Sequence, residues 1–90
     1  MQFEWDPGKE SRNRRKHGVP FTEASSIFGD PFAYTFPDPD HGDTERRFLT
    51  FGLSERRRLL AVVHAERGGR IRIISAREAT KNERKIYEEA

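Results

Sequence analysis

His64-Ala65-Glu66-Arg67 places an imidazole, a carboxylate and a guanidinium within four positions, at the end of a long apolar run. Along a strand side chains alternate between faces, so His64 and Glu66 share a side with Leu60 and Val62, while Arg67 lies opposite with Val63. Arg70 and Arg72 then alternate with Ile71 and Ile73. Further on, Arg77, Lys81 and Arg84 recur at spacings of four and three, which on a helix makes one stripe with Thr80 and Tyr87 beside it. Clustered cations stabilise the extra charge on a phosphate under attack, and neighbouring proton carriers complete RNA cleavage by the adjacent ribose 2′-hydroxyl. The expected catalytic residues are Arg67, Arg77, Arg84, Glu66, His64 and Lys81. Arg47, Arg70, Arg72 and Tyr87 are expected to contact RNA. Neither a metal nor another cofactor is required.

Each of these residues also has a plain structural reading. His64 fits an ordinary strand-end residue, Glu66 a partner for Arg67 or Arg70, and Tyr87 an anchor at the edge of a core. The last helix fits a solvated face laced by weak ion pairs. Arg77 in a first helical turn would oppose the helix dipole, a local conflict that favours function.

The charge distribution points the same way. Residues 9–17 carry +4, residues 30–45 carry −5, and residues 46–72 hold eight arginines against Glu55 and Glu66. Guanidinium makes bidentate phosphate contacts that ammonium cannot, so the arginine excess points to a phosphate-rich partner. With no cysteine there is no disulfide framework and no thiolate chemistry. His17, His41 and His64 are too scattered for a metal site, and the acidic run Asp38-Pro39-Asp40-His41-Gly42-Asp43 reads as a turn. No apolar run is long enough for a signal peptide or a membrane span, so a cytoplasmic location is expected.

The elements that must position these groups follow from patterning. Residues 2–5 read as a short strand. Asp6 and Pro7 open a helix that Gly18 closes, and this helix over 7–17 is almost entirely polar, anchored at its ends by Trp5 and Val19. Thr22 caps a second helix through Phe28, with Ala24, Ile27 and Phe28 facing inward. Strands follow over 32–36, 47–51, 58–67 and 70–74, with an acidic loop over 37–43 and a hairpin turn at Gly68-Gly69. Ser75 and Glu78 fit a capping box for a last helix. The order implies one α+β domain over residues 1–90, with two N-terminal helices and one C-terminal helix on an antiparallel sheet. Arg67, Arg72, Arg77 and the last helix would then meet in one basic concavity.

The sequence also resembles the BrnT toxin family. The resemblance rests on Phe3-Glu4-Trp5-Asp6, Lys9, Asn13, Lys16-His17-Gly18-Val19, Phe21, Glu23-Ala24, Phe28 and Asp30-Pro31. It continues through Arg47, Gly52, Leu60-Ala61-Val62-Val63, Glu66-Arg67, Arg72-Ile73-Ile74-Ser75-Ala76-Arg77, Glu83-Arg84 and Tyr87. It implies a RelE-like ribonuclease fold and inhibition of translation by RNA cleavage. It also implies neutralisation by a BrnA-type antitoxin, a dimeric ribbon-helix-helix DNA binder that holds a toxin at each end in a 2:2 complex. By position it implicates Arg67, Arg72, Arg77, Glu83, Arg84 and Tyr87. Ala65 stands where the family often has a hydroxyl residue. The alternative from a different class is a non-catalytic nucleic-acid-binding or corepressor module, separated from the enzyme by whether proton carriers sit beside the arginines.

Overall fold

The structure, a computed structural model, describes residues 1–38 and 45–90. The unbroken apolar run Leu59 to Val63 suits a strand covered on both faces. It forms β4 (Leu59–Arg67), at the centre of a five-stranded sheet. Its flanking strands are β3 (Arg47–Leu53) and β5 (Arg70–Glu78), both antiparallel to it. Gly68 and Gly69 have φ of 57° and 79°, the left-handed pair that a tight hairpin between β4 and β5 requires. The edges are β1 (Gln2–Glu4) on β5 and β2 (Tyr34–Pro37) on β3, giving the order β1-β5-β4-β3-β2. The α+β class is as expected, with one correction: β1 runs parallel to β5. The chain between them passes through two helices and three strands, long enough to return in that direction. The acidic turn expected over 37–43 falls mostly on residues 39–44, outside the described residues.

Helix α1 (Pro7–His17) has the expected ends. Asp6 accepts from the N–H groups of Gly8 and Lys9, and Gly18, at φ 71°, donates its N–H to the Arg14 carbonyl. Trp5 meets Phe21 edge-on and Val19 is fully buried, so both end anchors hold. The helix is also held from its middle, by Asn13, its one buried residue. Its carboxamide donates to the Ala76 carbonyl at 2.8 Å and accepts from the Ala76 N–H at 3.1 Å. Because β1 covers β5 only from Arg70 to Arg72, the outer edge of β5 at Ala76 is bare of strand. Asn13 satisfies it as a neighbouring strand would.

Helix α2 (Phe21–Ser26) begins one residue before the expected cap. Pro20 occupies the cap position without a side-chain bond, and the chain tightens into a 3₁₀ turn at Ile27–Gly29. Val19, Phe21, Ala24 and Ile27 pack on Leu60, Val62, Ile73 and Ala76 to form the core. Gly52 lies beneath this layer, and a Cβ there would come within 2.8 Å of the Ile27 Cβ.

The C-terminal helix starts later than expected. β5 continues to Glu78, pairing with β4 as far as Leu60, so Ser75 is a strand residue and no cap. Helix α3 (Lys81–Glu89) is capped by Thr80 in a capping box with Glu83. The same sequence signature occurs twice five residues apart, and the apolar face of β4 claims the first copy for the ladder.

Asn13→Ala is expected to lower unfolding stability by about 2 kcal/mol, because it leaves a buried peptide group without partners. Urea unfolding checks this. A loss below about 0.5 kcal/mol would mean that the contacts at Trp5 and Val19 suffice to hold α1.

Candidate active site

Alternation along β4 turns Leu60, Val62 and His64 towards the core, and Ala61, Val63, Ala65 and Arg67 to the opposite, open face. Ala65 is flanked on that face by Arg47 of β3 and Arg72 of β5, and Arg67 faces Arg70 across the hairpin. Four arginines therefore occupy one end of one sheet face. Glu4 approaches Arg70 at 3.8 Å and Arg72 at 3.7 Å. A bulge at Val63/His64 leaves Ile74 as an extra residue on β5. It shifts the alternation, so that Arg77 joins the same face as Arg70 and Arg72.

Beside this cluster, a groove of about 470 Å³ separates α1 from the open face. Its walls are Lys9, Arg12, Asn13, Lys16 and His17 on α1, Arg47 on β3, and Ile74 and Ser75 on β5. The α1 residues fall at i, i+3, i+4, i+7 and i+8, one stripe of a helix. No carboxylate is among these lining residues. The Nε of Arg47 is buried without a hydrogen-bond partner. The strand itself is tied nearby, where the Arg47 carbonyl accepts from the Asp38 N–H at 2.9 Å.

The single basic concavity expected from the sequence does not form. Arg67 lies opposite Arg70 and Arg77 lies opposite Ala61, six positions apart along β4 and so about 20 Å. At its own end, Arg77 donates two hydrogen bonds to Glu83, at 2.7 and 2.9 Å. This contact holds the Glu83 carboxyl down at about 2. Tyr87 donates to Asp30 at 2.6 Å, and that bond to a carboxylate pushes its phenol up to about 12. Both contacts fasten α3, which buries no residue of its own. Lys81 and Arg84 on α3 are exposed at this far end. Glu66 is exposed beside the hairpin, in a separate depression with Arg46, Phe48, Gly68 and Gly69.

His64 is 7% exposed and faces inward. Its Nε2 is 2.7 Å from the Thr50 hydroxyl, which in turn is 2.6 Å from that of Thr35. Phe28 meets the ring edge-on at 4.9 Å and Phe48 stacks on it at 5.9 Å. Burial pushes its pKa down to about 4. It is an enclosed hydrogen-bonding group on the core side of the sheet, away from the arginine face.

Lys9, Arg12, Lys16 and His17 were not among the site candidates named from the sequence, although their charge run counted towards a phosphate-rich partner. Their signal was the +4 run over 9–17 at helical spacing. What the sequence lacked was the direction of the stripe, which Asn13 sets by bonding to β5.

The profile of the family described as "Ribonuclease toxin, BrnT, of type II toxin-antitoxin system" matches residues 5–83. The chain belongs to the BrnT ribonuclease toxin family. The crystal structure of the Brucella abortus ribonuclease toxin BrnT is similar to it, with a TM-score of 0.70 and 25% identity over 90% of this chain and 99% of that one. No curated protein is a significant match. The span matched by the BrnT profile includes every lining residue of the groove and ends before Arg84 and Tyr87.

The burial of His64 has a pH signature. An unfolded imidazole takes up its proton near pH 6.5, whereas folded His64 resists until about pH 4. Between those values the unfolded chain binds more protons, so stability falls as pH drops from 6.5 towards 4, by up to about 3 kcal/mol. His64→Gln removes this titration while keeping a polar side chain near Thr50. Urea unfolding at pH 7 and pH 4.5 should show a smaller loss in the variant, and equal losses would contradict the buried neutral imidazole.

Proposed function

We propose that this chain is an endoribonuclease that cuts RNA without a metal ion, by attack of a ribose 2′-hydroxyl on the adjacent phosphate, and thereby arrests translation. The observation that carries the reading is the cationic end of the open sheet face. There Arg47, Arg67, Arg70 and Arg72 stand together, beside a groove with three further cations on α1. Fixed guanidinium groups on rigid strands hold a phosphodiester in place and stabilise the charge that develops on it. Arg47, Arg67, Arg70 and Arg72 are the proposed phosphate contacts. Arg77, committed to Glu83, and Tyr87, committed to Asp30, are proposed as fastenings of α3.

The proposed partner is a BrnA-type antitoxin, a ribbon-helix-helix dimer carrying one toxin at each end in a 2:2 complex. An acidic or extended antitoxin segment laid over the arginine face would neutralise the charge that RNA needs. The proposed compartment is the cytoplasm; among the described residues no helix is long and apolar enough to cross a membrane. The enclosure of His64 favours one second reading, a non-catalytic RNA-binding or corepressor module, because it removes an expected proton carrier from the open face.

Two measurements separate these readings. Expression of the chain alone should arrest bacterial growth, relieved by the cognate antitoxin, and the purified chain should cut single-stranded RNA. Soluble protein that permits normal growth and leaves RNA intact would favour the binding module.

RNA affinity should also fall steeply with salt, through counterion release. Arg72→Ala is expected to reduce the slope of log affinity against log salt by about one. Arg14→Ala, exposed on α1 and outside the groove lining, should leave it unchanged. A flat salt response in the wild type would overturn phosphate binding by the arginine face.

A further inference from the structure

We infer that the groove between α1 and the open sheet face holds the scissile phosphodiester, with His17 as the base that takes the 2′-hydroxyl proton. This deepens the ribonuclease reading and rests on it. A base must be a lining group that can accept a proton at neutral pH. Lysine and arginine are already protonated and act as donors. Ser75 is a weak base, and Asn13 is committed to β5 through both ends of its amide. Among the described residues no carboxylate lines the groove. Imidazole is the side chain whose ordinary titration lies in the physiological range, and among the described residues His17 is the one imidazole in the lining. Of the two described histidines, His64 is enclosed and His17 is exposed.

The backbone around His17 is held on both sides. One turn before it, Asn13 is bonded to Ala76. Immediately after it, Gly18 closes the helix in the left-handed conformation, and the Arg58 guanidinium donates to the Gly18 carbonyl at 3.1 Å. Arg58 is itself fixed by Glu23, whose Oε2 accepts from its Nε at 2.9 Å.

Arg47 supplies the anchor. It lines the groove from β3, and a guanidinium offers a phosphate the forked donors that suit its oxygens. Among the described residues, the charged groups lining the groove with His17 are Lys9, Arg12 and Lys16 on its own helix and Arg47 opposite on β3; Ile74 and Ser75 from β5 bring no charge. In the step, the 2′-oxygen bonds to phosphorus as its proton passes to His17. The bond from phosphorus to the 5′-oxygen breaks, and that oxygen takes a proton from the Lys16 ammonium. The products are a 2′,3′-cyclic phosphate and a 5′-hydroxyl end, and proton exchange with water restores both side chains.

The test uses the full chain and a single-stranded RNA in single-turnover cleavage, with His17→Ala and His17→Gln beside wild type and Arg14→Ala. Both His17 variants should cleave about a hundredfold more slowly or worse, the scale expected for loss of a general base. They should bind a 2′-O-methyl RNA, which cannot be cut, within about twofold of wild type. The acidic limb of the wild-type pH–rate profile should vanish in them. The defect should persist on RNA with a 5′-bridging sulfur at the cleavage site, because that leaving group needs no proton. Wild-type rates in the variants, rescue by the bridging sulfur, or a loss of affinity matching the loss of rate would each overturn the assignment of His17 as base. A wild-type chain that binds RNA and does not cut it would instead overturn the ribonuclease reading itself.

Discussion

The arrangement of this protein depends on one side-chain amide meeting the edge of a strand. Helix α1 buries only Asn13, so it has no apolar stripe with which to choose its orientation. Asn13 chooses it instead, by pairing with both peptide groups of Ala76 where β1 no longer covers β5. The cations on the same helical stripe are thereby turned towards the sheet and face Arg47 across the groove. A burial that would otherwise leave polar groups unsatisfied becomes the device that aligns the cationic stripe with the sheet.

The residues that carry strong charge partners are the ones holding the molecule together. Glu23 is nearly buried and receives Arg58 and the Ser54 hydroxyl, contacts that keep its pKa below the ordinary carboxylate value. Arg77 and Glu83 dock the start of α3, and Tyr87 with Asp30 docks its end. Asp30 also receives the Leu53 N–H and so links that helix end to β3. The arginine face and the groove are different. There, among the described residues, the cations outnumber their acidic partners, and Glu4 approaches Arg70 and Arg72. Unneutralised positive charge on rigid elements is what a polyanion requires.

Much of the fold was legible because local chemistry and tertiary demand agree. The Asp6-Pro7 opening and Gly18 closing of α1, the Gly68-Gly69 hairpin and the apolar run of β4 all read directly from residue type and spacing. The failures occurred where a tertiary contact decided between local options. Ser75 and Thr80 carry the same capping signature, and only the pairing of β4 with β5 selects Thr80. The bulge at Val63/His64 reverses alternation along β5, which simple counting from Arg72 to Arg77 misses. The site was legible as charge but not as place. Arg47, Arg67, Arg70 and Arg72 gather at one end of the sheet face, whereas Arg77, Arg84 and Lys81 are carried to the far end by the length of β5. His64 has the right chemistry for catalysis and the wrong face of the sheet.

The proposed path of the RNA crosses the groove between α1 and the open sheet face, away from α3. The most direct measurement is an NMR titration of isotope-labelled protein with a 2′-O-methyl oligonucleotide, which binds without being cut. The account predicts that resonances of Lys9, Arg12, Lys16, His17 and Arg47 shift with saturable, salt-sensitive dependence, while those of Lys81 and Arg84 stay in place. Shifts confined to α3 and the Arg77 end of β5, with the α1 stripe unmoved, would contradict it.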